Sequence, residues 1–338
     1  MLRRSARALL HPPSAVGSRS RLPAIGLQVL FPDPAPSAIT ADALTARLRQ
    51  LDRALQTATL RVPSVGDGDG LTGIAVWSSS ESTAAAPRAV EHRVDVVVRH
   101  RCPLPPRIAE ACITCSLNTP PVKARMAAAQ SAAYLSYRGT DGVAPLEQYV
   151  AVAAVAAALC DVGEACGVLN VHALTAASTS LFSQRVMESA GGTDGGGAAA
   201  TAASSLDFLR QLPLTVLYTG FRPFQTHDGQ DGRQGHGFRT HGAELLGLPN
   251  LAAFTTDTAS HEAAFHAVHW MWEVMRRRGR PLVAGESVQL TADGAVRVAV
   301  RNPRPEEESL QHPPQGVLVL EPAGGWEALQ VLTRAGPA

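Results

Sequence analysis

The apolar run Ala24 to Phe31 (AIGLQVLF) has the form of a strand buried on both faces. A helical period comes next: Leu44, Leu48, Leu51 and Leu55 fall on one stripe of a predicted helix over Ala41 to Leu55. Gly73 to Trp77 and Arg93 to Arg99 (RVDVVVR) read as two further strands, the second ended by the prolines of Cys102-Pro103-Leu104-Pro105-Pro106. A helical pattern around Ile108 to Ile113 succeeds them, then a strand over Ala132 to Arg138 and a long helix from Pro145 to about Ala165. The remaining predicted elements are a strand at Gly167 to Val171, a helix at Ser180 to Ser189, a strand at Leu212 to Tyr218 (LPLTVLY), a helix at Ser260 to Arg278, and β-rich stretches at Ser287 to Val300 and Gly316 to Leu320. Residues 191–205 and 227–237, rich in Gly, Asp, Gln and small side chains, read as loops.

Helices and strands thus alternate without an internal repeat. The expectation is a layered α/β (α+β) fold with mixed β-sheet flanked by helices, as one continuous sheet or as two packed α+β units. The units divide as 24–122 and 123–324, with a tail at 325–338. The alanine-rich stretch Val150 to Cys160 lies between Glu147 and Asp161 and is too short to cross a bilayer, so the sequence predicts no transmembrane segment.

Charge adds an address. Arg3, Arg4, Arg7, Arg19 and Arg21 precede the first acidic residue, Asp33, and Met1 to Leu10 can place arginines and leucines on opposing faces of a short helix. This is the composition of a mitochondrial presequence over 1–23, which predicts a mitochondrial matrix location. The whole chain carries a net charge of +1 with 17% charged residues. Without the presequence it is slightly acidic, which excludes nucleic-acid binding by the whole surface and leaves only a local basic patch.

Five cysteines, an odd number spread over a long chain, fit a reducing compartment better than a disulfide scaffold. Cys112 and Cys115 have CxxC spacing, but they sit in an apolar helical pattern and no second pair completes a zinc set; the reading is buried thiols. Gly68-Asp69-Gly70-Leu71-Thr72-Gly73 satisfies GxGxxG yet leads into a strand, so no helix N-terminus faces a pyrophosphate. His172, near Asn170 at a strand end, reads as a packed histidine. No motif implies a cofactor.

The proline cluster at 102–106, the helix after it, Ala133-Tyr134-Leu135-Ser136, Gly167-Val168-Leu169-Asn170 and Phe238-Arg239-Thr240-His241-Gly242-Ala243-Glu244-Leu245-Leu246-Gly247-Leu248-Pro249-Asn250 carry a resemblance. Over roughly residues 24–300 the chain resembles the domain-of-unknown-function 4261 family. His241 and Asn250 depart from that family's usual pattern, which has an acid at the second position. The resemblance implies a fold and no reaction. In the residues themselves, Thr240 is placed to cap a short helix over His241 to Leu246, with Gly247 ending it and Pro249 preventing its continuation. Such a segment either builds a tight corner or makes an anion or ligand site from Arg239, Thr240 and His241.

On the helix from Ser260, the residues Glu262, His266, His269, Glu273 and Arg276 share a face, with Phe265, Val268, Trp272 and Met275 on a separate apolar stripe. Two histidines with flanking carboxylates are candidate metal ligands, although a solvated polar face strengthened by Glu–His and Glu–Arg pairs is the preferred reading. Arg276, Arg277, Arg278 and Arg280 form a basic surface at the helix end, suited to its dipole or to a phosphate backbone. These features are compatible with two functions. One is a non-catalytic matrix protein acting through protein or ribonucleoprotein surfaces, as a component or assembly factor of a complex such as the mitochondrial ribosome. The other is a metal-dependent or small-molecule enzyme, or a ligand sensor, using Arg239, His241, His266 and His269. Convergence of these two groups on one pocket would separate the readings.

Overall fold

The computed structural model describes residues 24–34, 36–62, 71–82, 87–99, 106–182, 204–227, 234–255, 260–290, 297–304, 307 and 316–329. The expected presequence, the predicted helix beyond Phe182, most of the 191–205 loop, the central part of the 227–237 loop, Cys102 and the end of the tail lie outside them. The fold is α+β, built on two sheets.

The first sheet has β1 (Gly26–Phe31) as an interior strand. This strand pairs on one side with β5 (Ser131–Tyr137) and on the other with β6 (Gly167–Asn170), both antiparallel. Beyond β5 come β4 (Pro87–Arg99), β3 (Thr72–Ser82) and β2 (Thr59–Arg61), and β6 is flanked by β7 (Thr175–Ala177), giving the order β2-β3-β4-β5-β1-β6-β7. Every pairing in this sheet is antiparallel, where a mixed sheet was expected. Its strands run from residue 26 to residue 177, so the division expected near residue 122 is not the division of the sheets: β5, from beyond that point, lies between β4 and β1.

Both faces of this sheet are covered, which is why β1 has no polar alternation. Leu27, Val29 and Phe31 face one core, and Leu30 faces a second, smaller one. The smaller core lies beneath α2 (Pro106–Cys115) and α3 (Pro120–Ala127), with Cys112, Ile113, Met126 and Cys166 in it. The larger holds α1 (Ala41–Leu51) and α4 (Pro145–Val162). The predicted leucine stripe is correct, but the helix stops at Leu51, where Asp52 turns extended and accepts from Ala54 N at 2.9 Å to start a separate 3-10 turn carrying Leu55. By length and composition α4 is the one described helix apolar enough to cross a membrane; 67% of it is buried inside the protein. It packs on β1, β4 and β5 and against α1.

The predicted strand over Leu212 to Tyr218 is instead helical. α5 (Ser205–Gln211) is followed by α6 (Leu214–Leu217), whose Leu214 carbonyl accepts from Tyr218 N at 3.0 Å. Helical spacing buries Leu214, Leu217 and Tyr218 together, and a short apolar run cannot reveal from its periodicity which period it obeys.

The second sheet has the order β11-β12-β13-β10-β9-β8, from β8 (Gly220–His227), β9 (Gln234–His241), β10 (Asn250–Thr255), β11 (Ser287–Gln289), β12 (Arg297–Arg301) and β13 (Val317–Pro322). It is mixed: β10 and β13 are parallel and the other pairs antiparallel. Part of the segment expected as a loop at 227–237 belongs to the β8–β9 hairpin. Pro223 is tolerated there because β8 is an edge strand. The long helix α7 (Ser260–Arg278) covers one face and buries Val268, Trp272 and Met275 as its stripe predicts.

The sheets meet where the turn after β6 presses on the start of β8 and the end of β9. A Cβ at Gly220 would lie 1.7 Å from Ala173 O, whereas one at Gly247, held at φ 74, would meet nothing within 4 Å. Gly220→Ala should therefore cost about 2–3 kcal/mol through steric conflict, and Gly247→Ala about 1 kcal/mol through backbone strain alone. Chemical denaturation of both variants checks the ranking, and an equal loss would remove the contact as its cause.

Candidate functional site

The segment expected to carry an anion site is a corner between β9 and β10. Thr240 ends up in β9, fully buried, so it does not cap a helix; its hydroxyl oxygen accepts from Leu251 N at 2.7 Å and lies 3.3 Å from Asn250 Oδ1. The next element is a 3-10 turn, Ala243–Leu246, whose N-cap is Gly242 at φ 90 and whose end is Gly247, as expected. The amide at the start of this turn is occupied: Glu244 Oε2 accepts from Gly242 N at 3.1 Å and from Asn250 Nδ2 at 2.6 Å. Thr240 thus drops out of the predicted site, and the corner is built internally.

Arg239 and His241 remain, and they acquire a neighbour that sequence reading missed. Arg222 of β8 is the direct cross-strand partner of Arg239. Directly opposed residues share a face and their Cβ atoms lie about 4.5–5.5 Å apart, so two like charges stand side by side. All three side chains are partly buried. Burial, and after it the charges of Arg239 and Arg222, hold His241 down at about 3, against an ordinary value of 6.5. His241 is therefore neutral at physiological pH and adds no charge to the predicted anion site. Arg239 is itself pushed below its ordinary value, by burial first and by Arg222, while Glu244 opposes the shift. On the facing turn His172 is also lowered by burial, with Glu244 pulling the other way.

The candidate metal ligands lie elsewhere. Along β9 successive side chains point to opposite faces. Phe238 shares a cluster with Ala253 and Ala264, and Ala264 belongs to α7, so Phe238 marks the face that α7 covers. Arg239 points to the other face. Phe221 repeats the pattern on β8: it stacks on Phe238 at 4.6 Å and meets Phe265 of α7 edge-on at 5.2 Å, leaving Arg222 on the Arg239 side. Arg239 and His241 are thus separated by the sheet from His266 and His269. On α7 itself, Glu262 Oε1 is 3.9 Å from His266 Nε2, and Glu273 is committed to Arg276 at 2.7 Å. Burial lowers His269. Among the described residues no group of three or more His, Cys, Asp or Glu side chains is disposed to hold a metal ion.

The basic surface is largely answered by acids as well. Arg276 pairs with Glu273, and Arg278 and Arg280 both reach Glu286, at 3.6 and 2.7 Å. Arg277 is exposed.

The CxxC thiols are held protonated. Cys112 is fully buried, lies 3.8 Å from Asn170 O and is pushed up to about 12 by burial. Burial raises Cys115 too, while the charges of Arg222 and Lys123 counteract it. A second polar group unforeseen from the sequence is the His92 network. Ser79 Oγ lies 2.9 Å from Nε2 and Tyr137 Oη 3.2 Å from Nδ1, with the ring stacked on Trp77 at 5.2 Å. Burial lowers His92, and a neutral imidazole has one donor and one acceptor nitrogen, so these two contacts use both and tie β3, β4 and β5 together.

Compared with protein-family models, with curated proteins and with solved structures, the chain matches none.

His241 also sets a pH dependence. In the folded state it stays neutral down to about 3, while in the unfolded chain it takes up a proton near 6.5. Its stabilising contribution is complete above pH 6.5 and is lost as pH falls towards 3, by at most about 1.4 kcal/mol per pH unit for one proton. Urea titrations at pH 7 and pH 5 should show a larger loss for the wild type than for His241→Asn; parallel losses would refute the assignment.

Proposed function

We propose that this chain is a mitochondrial matrix protein that acts by binding, with no reaction of its own, as a component or assembly factor of a larger complex such as the mitochondrial ribosome. The observation that carries this reading is divergence. Arg239 and His241 occupy one face of the second sheet, and His266 and His269 belong to the helix covering the other. A metal-dependent or small-molecule reaction using both groups needs them on one substrate, and a sheet stands between them.

The matrix location is supported by the five arginines and the absence of any acid before Asp33. Contact with a protein surface is favoured over contact with RNA, because among the described residues at the end of α7 Arg276, Arg278 and Arg280 already have carboxylate partners, which leaves Arg277 there for a phosphate backbone. Membership in the domain-of-unknown-function 4261 family belongs to the same proposal. It rests on the Phe238 to Asn250 segment, the proline cluster at 102–106 and the strand segments Ala133 to Ser136 and Gly167 to Asn170, and it brings no reaction.

Affinity purification of the tagged full-length protein from isolated mitochondria, followed by sedimentation and mass spectrometry, tests the reading. Co-sedimentation with a ribosomal subunit or another large assembly is the expected result. A small, free species in the matrix would sink the assembly reading, and exclusion from mitochondria would sink the location.

A further inference from the structure

The chain between α7 and β11 forms one wall of a groove of about 440 Å³. Buried Pro249, Leu282 and Leu318 form its base, while Pro281, Val283 and Asn302 stand exposed along it. Val283 is 54% exposed, one of four large apolar side chains exposed among the described residues. The wall is fixed by its own backbone: Gly285 N donates to Val300 O at 2.8 Å, Val300 N to Glu286 O at 2.9 Å and Glu286 N to Val283 O at 3.1 Å. No described residue lining the groove is ionisable, so it offers apolar contact and one side-chain amide, with no acid, base or nucleophile.

Charge is gathered on the rim. Arg280 donates to Pro281 O at 3.2 Å, which brings its guanidinium to the edge of the groove, and Arg278 and Arg280 share the carboxylate of Glu286. Arg277 beside them is exposed, so among the described residues three cations stand against one acid at this end. The C-terminus of α7 offsets about half a charge of that surplus. Across the groove Arg301 donates to Asn302 O at 2.9 Å, but there Arg301 and Arg304 are balanced by Glu307 and Glu321. The positive surplus is therefore confined to the Pro281 end.

We propose that this groove receives an extended segment of a partner protein in which apolar residues are followed by acidic ones, an inference that rests on the reading of the chain as a protein that acts by binding. Apolar side chains of that segment lie against Pro281, Val283 and Leu318, and its acids reach Arg277, Arg278 and Arg280. A small molecule needs several convergent polar groups to fix its orientation, and Asn302 alone does not supply them. A peptide takes its orientation from shape and from charge at one end, and a wall already held in place spares it the cost of ordering the site.

The test uses the purified full-length protein and a fluorescein-labelled peptide, Pro-Leu-Pro-Glu-Glu-Glu, with Pro-Leu-Pro-Lys-Lys-Lys and Gly-Gly-Gly-Glu-Glu-Glu as its charge-reversed and apolar-free counterparts. Fluorescence anisotropy should show saturable binding of the first, at least about tenfold tighter than of either counterpart. Val283→Asp removes apolar wall and repels acids; it should weaken binding at least about tenfold while melting within about 2 °C of the wild type, because the side chain is exposed. Arg280→Gln should weaken binding about two- to fivefold and flatten its dependence on sodium chloride. Val62→Asp, at an exposed valine beyond β2, should leave it unchanged. No saturable binding, equal binding of the apolar-free peptide, or unaltered binding in Val283→Asp would each overturn the proposal. So would a wild-type dimer in sedimentation equilibrium that Val283→Asp dissociates, since the occupant would then be a second copy. Peptide binding is read on the isolated protein and assembly on mitochondrial extracts. A chain that joins a large complex but binds no peptide loses the groove and keeps the assembly reading; one that binds the peptide but sediments alone keeps the groove and loses that reading.

Discussion

Helix α4 has no polar face to turn towards water. From Tyr149 to Cys160 every side chain is buried, and most are alanine or valine. Such a helix is stable only if protein surrounds it on all sides, and its small side chains allow the sheet and neighbouring helices to approach closely. The requirement dictates the arrangement around it: β1, β4 and β5 beneath, α1 and α5 beside it, and the 3-10 turn Ala243–Leu246 at its flank. Charge is confined to its ends. Arg210 reaches both oxygens of Glu147 at 2.8 and 2.9 Å near the first turn, and Arg47 grips Asp161 at 2.6 and 2.8 Å near the last. The second pair offsets an acid at the unfavourable end of the helix dipole.

The second dependency is the turn between β6 and β7. Asn170 is wholly buried and fully used: its amide nitrogen lies 3.0 Å from Leu217 O and 3.3 Å from Tyr149 Oη, and its oxygen accepts from Ala173 N at 3.1 Å. One side chain therefore joins the first sheet to α4, to α6 and to its own turn. Because the turn also abuts Gly220 and Gly242, the position of β8 and β9, and with it the Arg222 and Arg239 pair, is inherited from the first sheet.

Much of the layering was legible in the sequence. The leucine stripe of α1, the apolar run of β1, Pro145 at the start of α4 and the stripe of α7 each reflect a local period that burial then respects. What was illegible was non-local or too short to have a period. β2 and β7 have three residues each; Leu212 to Tyr218 is apolar enough for either strand or helix; the β8–β9 hairpin is rich in glycine and polar residues and so looked like a loop. The site obeyed the same rule. Arg239 and His241 were visible because they neighbour a glycine- and proline-marked corner, while Arg222 became relevant only through strand register. Thr240 misled because a threonine before a short turn looks the same whether it caps or lies buried in a strand, and tertiary burial decided it.

An interior strand of the first sheet, β1, is its earliest in the chain. β1 finds its two partners about residue 131 and residue 167, more than a hundred residues later. At a synthesis rate of about 5–20 residues per second, its apolar faces and open edges stay unpaired for roughly five to thirty seconds after they leave the ribosome. The strand that joins β5 to β6 is thus the one most exposed to wrong partners while the chain is being made, and a holding chaperone would act first on residues 24–31.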